Sequence, residues 1–241
     1  MNYALANARS LMPKIESLIN YFDEYGLSFC VTTETWIQGN RENNRAINDL
    51  LDGSHIEMIR RDRGRRGGGV AISYDTRKAK LKKYVIPNNR FEIVCAVGKF
   101  NNNTRKVAIF AVYLPPKQTS TTTKEVEACI ADCILKIKSE SNDPLIIVAG
   151  DLNRKDISGA FVEAVDVKLH PPIPTRGTAA LDLVFSNTEK HKETSLPPLS
   201  SDAGPSSDHN VLLVETKERH IHRYEKVLIR HRKMTDEGRK V

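Results

Sequence analysis

Short runs rich in apolar and β-branched residues recur along the chain, separated by turns or by helical stretches. They predict strands over residues 3–7, 28–34, 70–74, 92–100, 106–114, 145–149, 181–185 and 211–215. Two stretches carry the three-and-four spacing of an amphipathic helix. The first follows Ser10, with Leu11, Ile15, Leu18, Ile19 and Phe22 on one face, and Gly26 stops it. The second follows the threonine cluster at 119–123, which offers several N-caps, and buries Val126, Ile130, Cys133 and Ile137. A shorter helix is expected over 158–165. Residues 64–69, 101–104, 170–177 and 186–207 read as loops from their Gly, Pro, Asn and Ser content. No helical pattern interrupts 70–114, so that part is expected to be antiparallel. Many strands with two or three helices outside them predict stacked sheets with helical layers, an α/β class rather than an all-β barrel.

A chain of 241 residues suits one such domain and buries roughly 70% of its unfolded surface without a disulfide or zinc staple. Apolar residues at 39% and charged residues at 28% exclude a disordered chain. With no window of 18 apolar residues and no leader pattern, the expectation is an intracellular protein with no membrane partner. Cys30 and Cys95 lie in apolar runs, and Cys129 and Cys133 are four apart on a helix face. None forms a CxxC pair, so all four read as reduced thiols.

The net charge is +7, but it is unevenly spread. Residues 216–241 hold nine Lys/Arg against four Asp/Glu, which leaves the body, 1–215, nearly neutral. The extension either grips a polyanion or serves as a solvated linker.

Polar residues fall repeatedly where buried strands end. Asn7, Glu34 and Tyr113 stand at or near the ends of the first, second and fifth predicted strands. Asp151 and Asn153 follow the 145–149 strand, Asp182 interrupts an apolar run, and Asp208-His209 precedes the last strand. An unpaired buried carboxylate is costly, so such placement asks for a reason. If the extended backbone continues, Asp151 and Asn153 point to one face. Hard oxygen ligands with one histidine and no thiolate suit Mg²⁺ or Mn²⁺ rather than structural zinc. Taken singly, each motif has a bland reading: a turn, a cap, a packed Trp36, a core Tyr113.

Taken in order, the segments Asn7-Ala8-Arg9-Ser10-Leu11, Thr33-Glu34-Thr35-Trp36, Gly67-Gly68-Gly69-Val70-Ala71-Ile72, Val112-Tyr113-Leu114-Pro115-Pro116, Gly150-Asp151-Leu152-Asn153, Thr178 to Phe185 and Ser207-Asp208-His209-Asn210 resemble the endonuclease/exonuclease/phosphatase superfamily. Within it they look like the apurinic-like endonuclease domain of non-LTR (LINE-type) retrotransposons, a branch singled out by the Asn7–Leu11 opening, the triple glycine and the stretch from Pro174-Thr175-Arg176 to Leu181-Asp182-Leu183-Val184-Phe185. The resemblance implies a four-layer α/β sandwich of two packed, mostly antiparallel sheets flanked by helices. It implies a Mg²⁺-dependent, one-strand cleavage of double-stranded DNA in the nucleus, leaving a 3′-hydroxyl that primes reverse transcription. No small-molecule cofactor is implied. The domain would span 1–215, and 216–241 would lead towards the reverse transcriptase of the same polyprotein.

By position, the resemblance gives Glu34, Asn7 and Asp208 to the metal. It makes Asp151 the group that orients or deprotonates water, with Asn153 as its amide partner. It puts His209 on a phosphate oxygen, oriented by Asp182, and Tyr113 on the phosphate. Thr175 resembles a threonine bordering the DNA-binding loop. Where the family often has Ser or Thr three residues before the aspartate at 182, this chain has Ala179, which puts one supporting hydrogen bond in doubt.

Five arginines within 60–66 could bind phosphate, Arg63 and Arg65 foremost, while Arg60 and Arg61 read as an exposed polar loop. The triple glycine precedes a strand rather than a helix, so it permits a tight strand entry and is no nucleotide loop. Arg176 is the expected DNA groove or backbone contact. Two other functions share these features: a phosphoinositide or sphingomyelin phosphodiesterase, and an inactive nucleic-acid-binding module.

Overall fold

The structure is a computed structural model, and it describes residues 1–64, 67–87, 90–101, 103–153, 159–188, 191–202 and 204–216. Among the described residues, twelve strands form two six-stranded sheets. In chain order they are β1 (Asn2–Asn7), β2 (Phe29–Thr33), β3 (Ile56–Arg61), β4 (Val70–Asp75), β5 (Ala79–Tyr84), β6 (Glu92–Phe100), β7 (Lys106–Tyr113), β8 (Leu145–Asp151), β9 (Lys168–Leu169), β10 (Asp182–Ser186), β11 (His191–Leu196) and β12 (Val211–Thr216). One sheet runs β11-β12-β1-β2-β4-β3 and the other β5-β6-β7-β8-β10-β9. Among the described residues only β1–β2 and β7–β8 pair in parallel. The stretch expected to be antiparallel is so, through the β5–β6–β7 meander.

Helices α1 (Ile15–Glu24), α2 (Arg41–Leu51), α3 (Ser120–Glu140) and α4 (Gly159–Val165) complete the order. Strand alternation divides the apolar residues into three cores. Tyr3, Leu5, Val31, Ile109, Ala111, Ile147, Ala149 and Val184 meet between the sheets. Ala4, Ala6, Cys30 and Leu213 face the other way, against Leu18 and Phe22 of α1 and Ile47 of α2. Phe110, Ile146 and Val148 pack on Val126, Ile130, Cys133 and Ile137 of α3 and Phe161 of α4. The result is the expected four-layer α/β sandwich.

Several elements depart from the sequence pattern. The helix expected directly after Ser10 starts late, with a 3₁₀ turn at Met12–Lys14 before α1. Arg9 and Ser10 have φ of +41° and +84°, outside the right-handed helical region, so the helix cannot open there; the amides of Ser10 and Leu11 donate to the carbonyls of Glu34 and Thr35. Gly26 ends α1 with φ +59°, as expected. Thr119 caps α3 through its side chain, which accepts from the Thr122 amide. The expected loop at 186–207 contains β11, an edge strand paired along its length with β12. Helix α2 and strands β3 and β5 were not in the sequence pattern at all. Cys30, Cys95 and Cys133 are buried free thiols, and burial pushes the Cys30 thiol up to about 12. Ser158, the expected start of the short helix, lies outside the described residues, as does 217–241.

Gly150 matters for the site. A Cβ on it would stand 1.8 Å from the Val112 carbonyl oxygen, which is backbone and cannot yield cheaply. The absent side chain lets β8 close on β7 one residue before Asp151. Gly150→Ala is expected to cost about 1–3 kcal/mol, the usual range for overpacking. Urea denaturation checks this, and an unchanged midpoint would show that the strands part freely.

Candidate active site

The alternation that buries Leu5, Ala111, Ala149 and Val184 between the sheets carries Asn7, Tyr113, Asp151 and Asp182 onto the same inner faces two residues further along, or two before for Asp182. The apolar core thus ends in polar residues at one end of the sandwich. Register brings them close: Asp151 lies opposite Tyr113 across β7–β8 and opposite Asp182 across β8–β10.

Glu34 reaches this end from the turn after β2. It has φ +49° and Trp36 has φ +53°, positions that cost free energy for residues other than glycine. The turn is held from both sides. The Ser10 and Leu11 amides donate to it, and its Thr35 and Trp36 amides donate to the Gly69 and Gly68 carbonyls. Gly67, Gly68 and Gly69 all have positive φ, and a Cβ on Gly69 would sit 2.4 Å from the Thr35 hydroxyl. The triple glycine is therefore a tight strand entry that also braces the Glu34 turn.

One amide links two carboxylates. Asn7 Nδ2 donates to Glu34 Oε1 at 3.0 Å and to Asp151 Oδ2 at 2.8 Å. Tyr113 OH donates to Glu34 Oε1 at 3.3 Å and Trp36 Nε1 to Glu34 Oε2 at 3.3 Å. Burial first, then the Glu34 and Asp151 charges, raise the Tyr113 pKa, so it remains a proton donor. Trp36, read from sequence as packing, is thus part of the site; the Glu-Thr-Trp tripeptide was its only signal.

Beside this group stands an acid–imidazole pair. Asp182 Oδ2 is 2.7 Å from His209 Nδ1 and accepts from Thr175 Oγ1 at 2.5 Å, with all three side chains buried. Nδ1–H therefore donates to the carboxylate, and Nε2 makes no hydrogen bond among the described residues. Burial alone would lower the His209 pKa. The hydrogen bond and charge of Asp182, then Asp151 and Asp208, overcome it and raise the pKa. Asp151 goes up to about 7, through burial first and the facing Asp182 second, against the pull of His209, Asn7 and the Asn153 amide. Ser207, which the sequence did not single out, ties the two groups together: its hydroxyl donates to the Asn7 carbonyl at 2.6 Å and accepts from the His209 amide at 3.2 Å.

The structure places five expected residues in contacts their sequence reading did not give. Asn153 has φ +49°, so the extended backbone stops and it does not share a face with Asp151 by alternation. Its amide N–H donates to Asp151 Oδ1 at 3.0 Å, and its side chain donates to the Leu114 carbonyl at 2.9 Å. The Thr175 side chain faces inward and supplies a hydrogen bond to Asp182, the kind that Ala179 left in doubt. Asp208 and Arg176 are both exposed and pair with each other at 2.6 Å. Arg63 pairs with Glu92 at 3.1 Å, and Glu92 also accepts from the Gly69 amide at 2.6 Å. Arg65 lies outside the described residues.

The donor chemistry fits a hard divalent cation. Glu34 is half-buried and accepts only from neutral donors, and among the described residues no Lys or Arg pairs with Glu34, Asp151 or Asp182. Oxygens of Asp151 and Asp182 and a nitrogen of His209 lie within 4.8 Å of one another. His170, His191 and Glu193 form a second such group at the sandwich edge. There His170 is satisfied by Glu193 at 2.6 Å and Ser186 at 2.7 Å.

Residues 1–209 match the sequence pattern of the Endonuclease/Exonuclease/phosphatase family. The chain belongs to that family. No curated protein sequence matches it. Among solved structures, the endonuclease domain of TRAS1, a telomere-specific non-LTR retrotransposon, is 13% identical, with 90% of this chain and 99% of that chain covered and a TM-score of 0.63. The human Nocturnin catalytic domain is 11% identical, covering 89% and 92%, with a TM-score of 0.65. D. rerio TDP2, humanized by 14 mutations, is 16% identical, covering 89% and 97%, with a TM-score of 0.60. Identities this low establish a shared endonuclease/exonuclease/phosphatase fold and leave the substrate to be argued from the site. None of the described helices is long and apolar enough to cross a membrane.

Proposed function

We propose that the chain is a metal-dependent DNA endonuclease that nicks one strand of double-stranded DNA and leaves a 3′-hydroxyl, in the service of a non-LTR retrotransposon. The observation that carries this is the meeting of a carboxylate poised near neutral pH with an acid-oriented imidazole, beside the unpaired Glu34. Asp151, at about 7, is suited to take a proton from an attacking water. His209, with a raised pKa, presents Nε2 as a donor to a phosphoryl oxygen, and Asp182 fixes the tautomer that allows it. Tyr113 adds a neutral donor. Glu34 and Asn7 would hold a Mg²⁺ or Mn²⁺ ion, which when bound supplies Lewis-acid neutralisation of the phosphate. Asp208 would join them on release from Arg176. The retrotransposon assignment is supported by the Asn7–Leu11, triple-glycine and 174–185 segments. The fold of the TRAS1 domain is consistent with it. Arg176, Arg63 and Arg65 are the proposed DNA contacts, with Thr175 beside them, and 216–241 is the proposed lead towards a reverse transcriptase.

Incubation with supercoiled plasmid and Mg²⁺ tests this. Nicked circles that a polymerase extends without phosphatase treatment are expected, and EDTA should abolish them. Intact plasmid together with phosphate release from inositol phospholipids would overturn the reading in favour of a lipid substrate.

Glu34→Gln is expected to weaken Mg²⁺ binding by about tenfold or more, read by titration calorimetry, with an unchanged circular dichroism spectrum. Equal affinity in the two proteins would remove Glu34 from the metal site.

A further inference from the structure

Lys14 is wholly buried, between the 3₁₀ turn and α1, at 0% exposure. Lysine is rarely found there, because its ammonium loses water that something must replace. No carboxylate replaces it among the described residues. Nζ instead donates to three backbone carbonyls: Ala8, Arg9 at 3.2 Å and Pro205 at 2.7 Å. Three acceptors match the three N–H groups of an ammonium, one each.

The carbonyls belong to two separate segments. Ala8 and Arg9 directly follow Asn7 at the end of β1. Pro205 lies 191 residues from Lys14, four residues before His209. Two further contacts cross the same seam. Ser207 bonds the Asn7 carbonyl and the His209 amide. Gly204 sits so close to Pro13 that a Cβ on it would stand 2.5 Å from Pro13 Cγ. Arg9 and Ser10, next to the carbonyls, have φ of +41° and +84°, so this backbone holds a costly shape.

We propose that Lys14 is a positioning residue: its buried ammonium pins the strand end that carries Asn7 to the segment that carries His209. Asn7 ends β1 and His209 precedes β12, neighbouring strands of one sheet, but both lie past the β1–β12 pairing, which ends at Leu5 opposite Leu212; a sub-ångström error between the two segments misaligns the attacking and the stabilising groups. A charged clamp on carbonyls sets that spacing without placing a second cation beside the carboxylates, where it would compete with a metal. Burial, then the nearby Arg9 charge, lower the Lys14 pKa, in keeping with an ammonium held by dipoles alone.

The inference rests on the nicking activity proposed above, so the test includes a readout that does not. Lys14→Met, Ser207→Ala and the double variant are compared with the unaltered chain in the plasmid assay and by amide hydrogen exchange. Lys14→Met is expected to lower kcat by about 10–100-fold with KM within about twofold, since a misplaced group costs the transition state rather than binding. The double variant should lose less than the product of the single losses, because both residues hold one seam. Exchange should quicken at residues 204–210 while β7 and β8 keep their protection. If Lys14→Met does not fold, Lys14→Gln, which keeps N–H donors, is read by the same criteria. Multiplicative losses, or unchanged exchange at 204–210, would overturn the role. Absence of nicking by the unaltered chain would refute the proposed function instead, and the exchange result would still decide whether Lys14 holds the seam.

Discussion

Asp151→Ala and His209→Ala should each slow plasmid nicking by about 10²–10⁴, the range for removing one aligned acid–base or charge-stabilising group. The physical reason differs for the two. Without Asp151 the proton of the attacking water has no acceptor whose pKa lies near the working pH. Without His209 the phosphoryl oxygens lose an imidazolium that Asp182 holds in place at 2.7 Å. The double variant should be little slower than the slower single variant, because both groups serve one transition state. Single-turnover nicking in saturating Mg²⁺ measures all three. Full additivity would place the two residues in independent steps, and near-normal rates for either would strike that residue from the mechanism.

A second large effect concerns stability and carries the opposite sign. Asp151 is held with a pKa of about 7, far above a free carboxyl near 3.9. The folded protein therefore binds a proton that the unfolded chain has released between about pH 4 and 7. The stability associated with that proton is fully present below pH 4 and is lost as pH rises through 7. Asp151→Asn removes this titration. Measured in EDTA by urea denaturation, the variant should keep, between pH 4 and 7, on the order of a few kcal/mol that the parent protein loses. His209 moves the same way, since its raised pKa contributes stability at low pH that fades as the ring deprotonates. That contribution is smaller in the variant, because Asp151 is one of the charges that raise the ring, so the variant loses less of it as pH rises. Parallel pH curves for the two proteins would show that Asp151 is not perturbed. The site is thus expected to be a place where the fold gives up stability for reactivity.

What the sequence revealed follows from what side chains alone can signal. The central strands β1, β2, β7 and β8 are two-faced and buried, so their apolar runs announced them, and the polar residues that close those runs announced the site. Helix α2 buries only Ile47 and so shows almost no apolar stripe. Strand β11 has no fully buried residue and owes its conformation to backbone pairing with β12. Neither leaves a side-chain pattern to read. Position in a motif did not disclose direction either: Thr175 turns inward to Asp182, Asn153 leaves the strand, and Arg176 is taken up by Asp208. These outcomes depend on partners distant in sequence or on local backbone angles. Ser207 and Lys14 act through carbonyls, which every residue carries and no sequence pattern marks.

The placement of β1 has a consequence for how the protein is made. The strand is hydrogen-bonded on one side to β2, available early in synthesis, and on the other to β12, the last described strand, with the Thr216 amide closing on the Met1 carbonyl. Within the domain, Asn7 is therefore synthesised about 200 residues before His209. A chain that stops before β12 lacks the neighbour that completes the sheet and the imidazole that pairs with Asp182. Under the proposed function, such truncated chains are expected to show no nicking, and the activity is expected only once the whole domain has been synthesised.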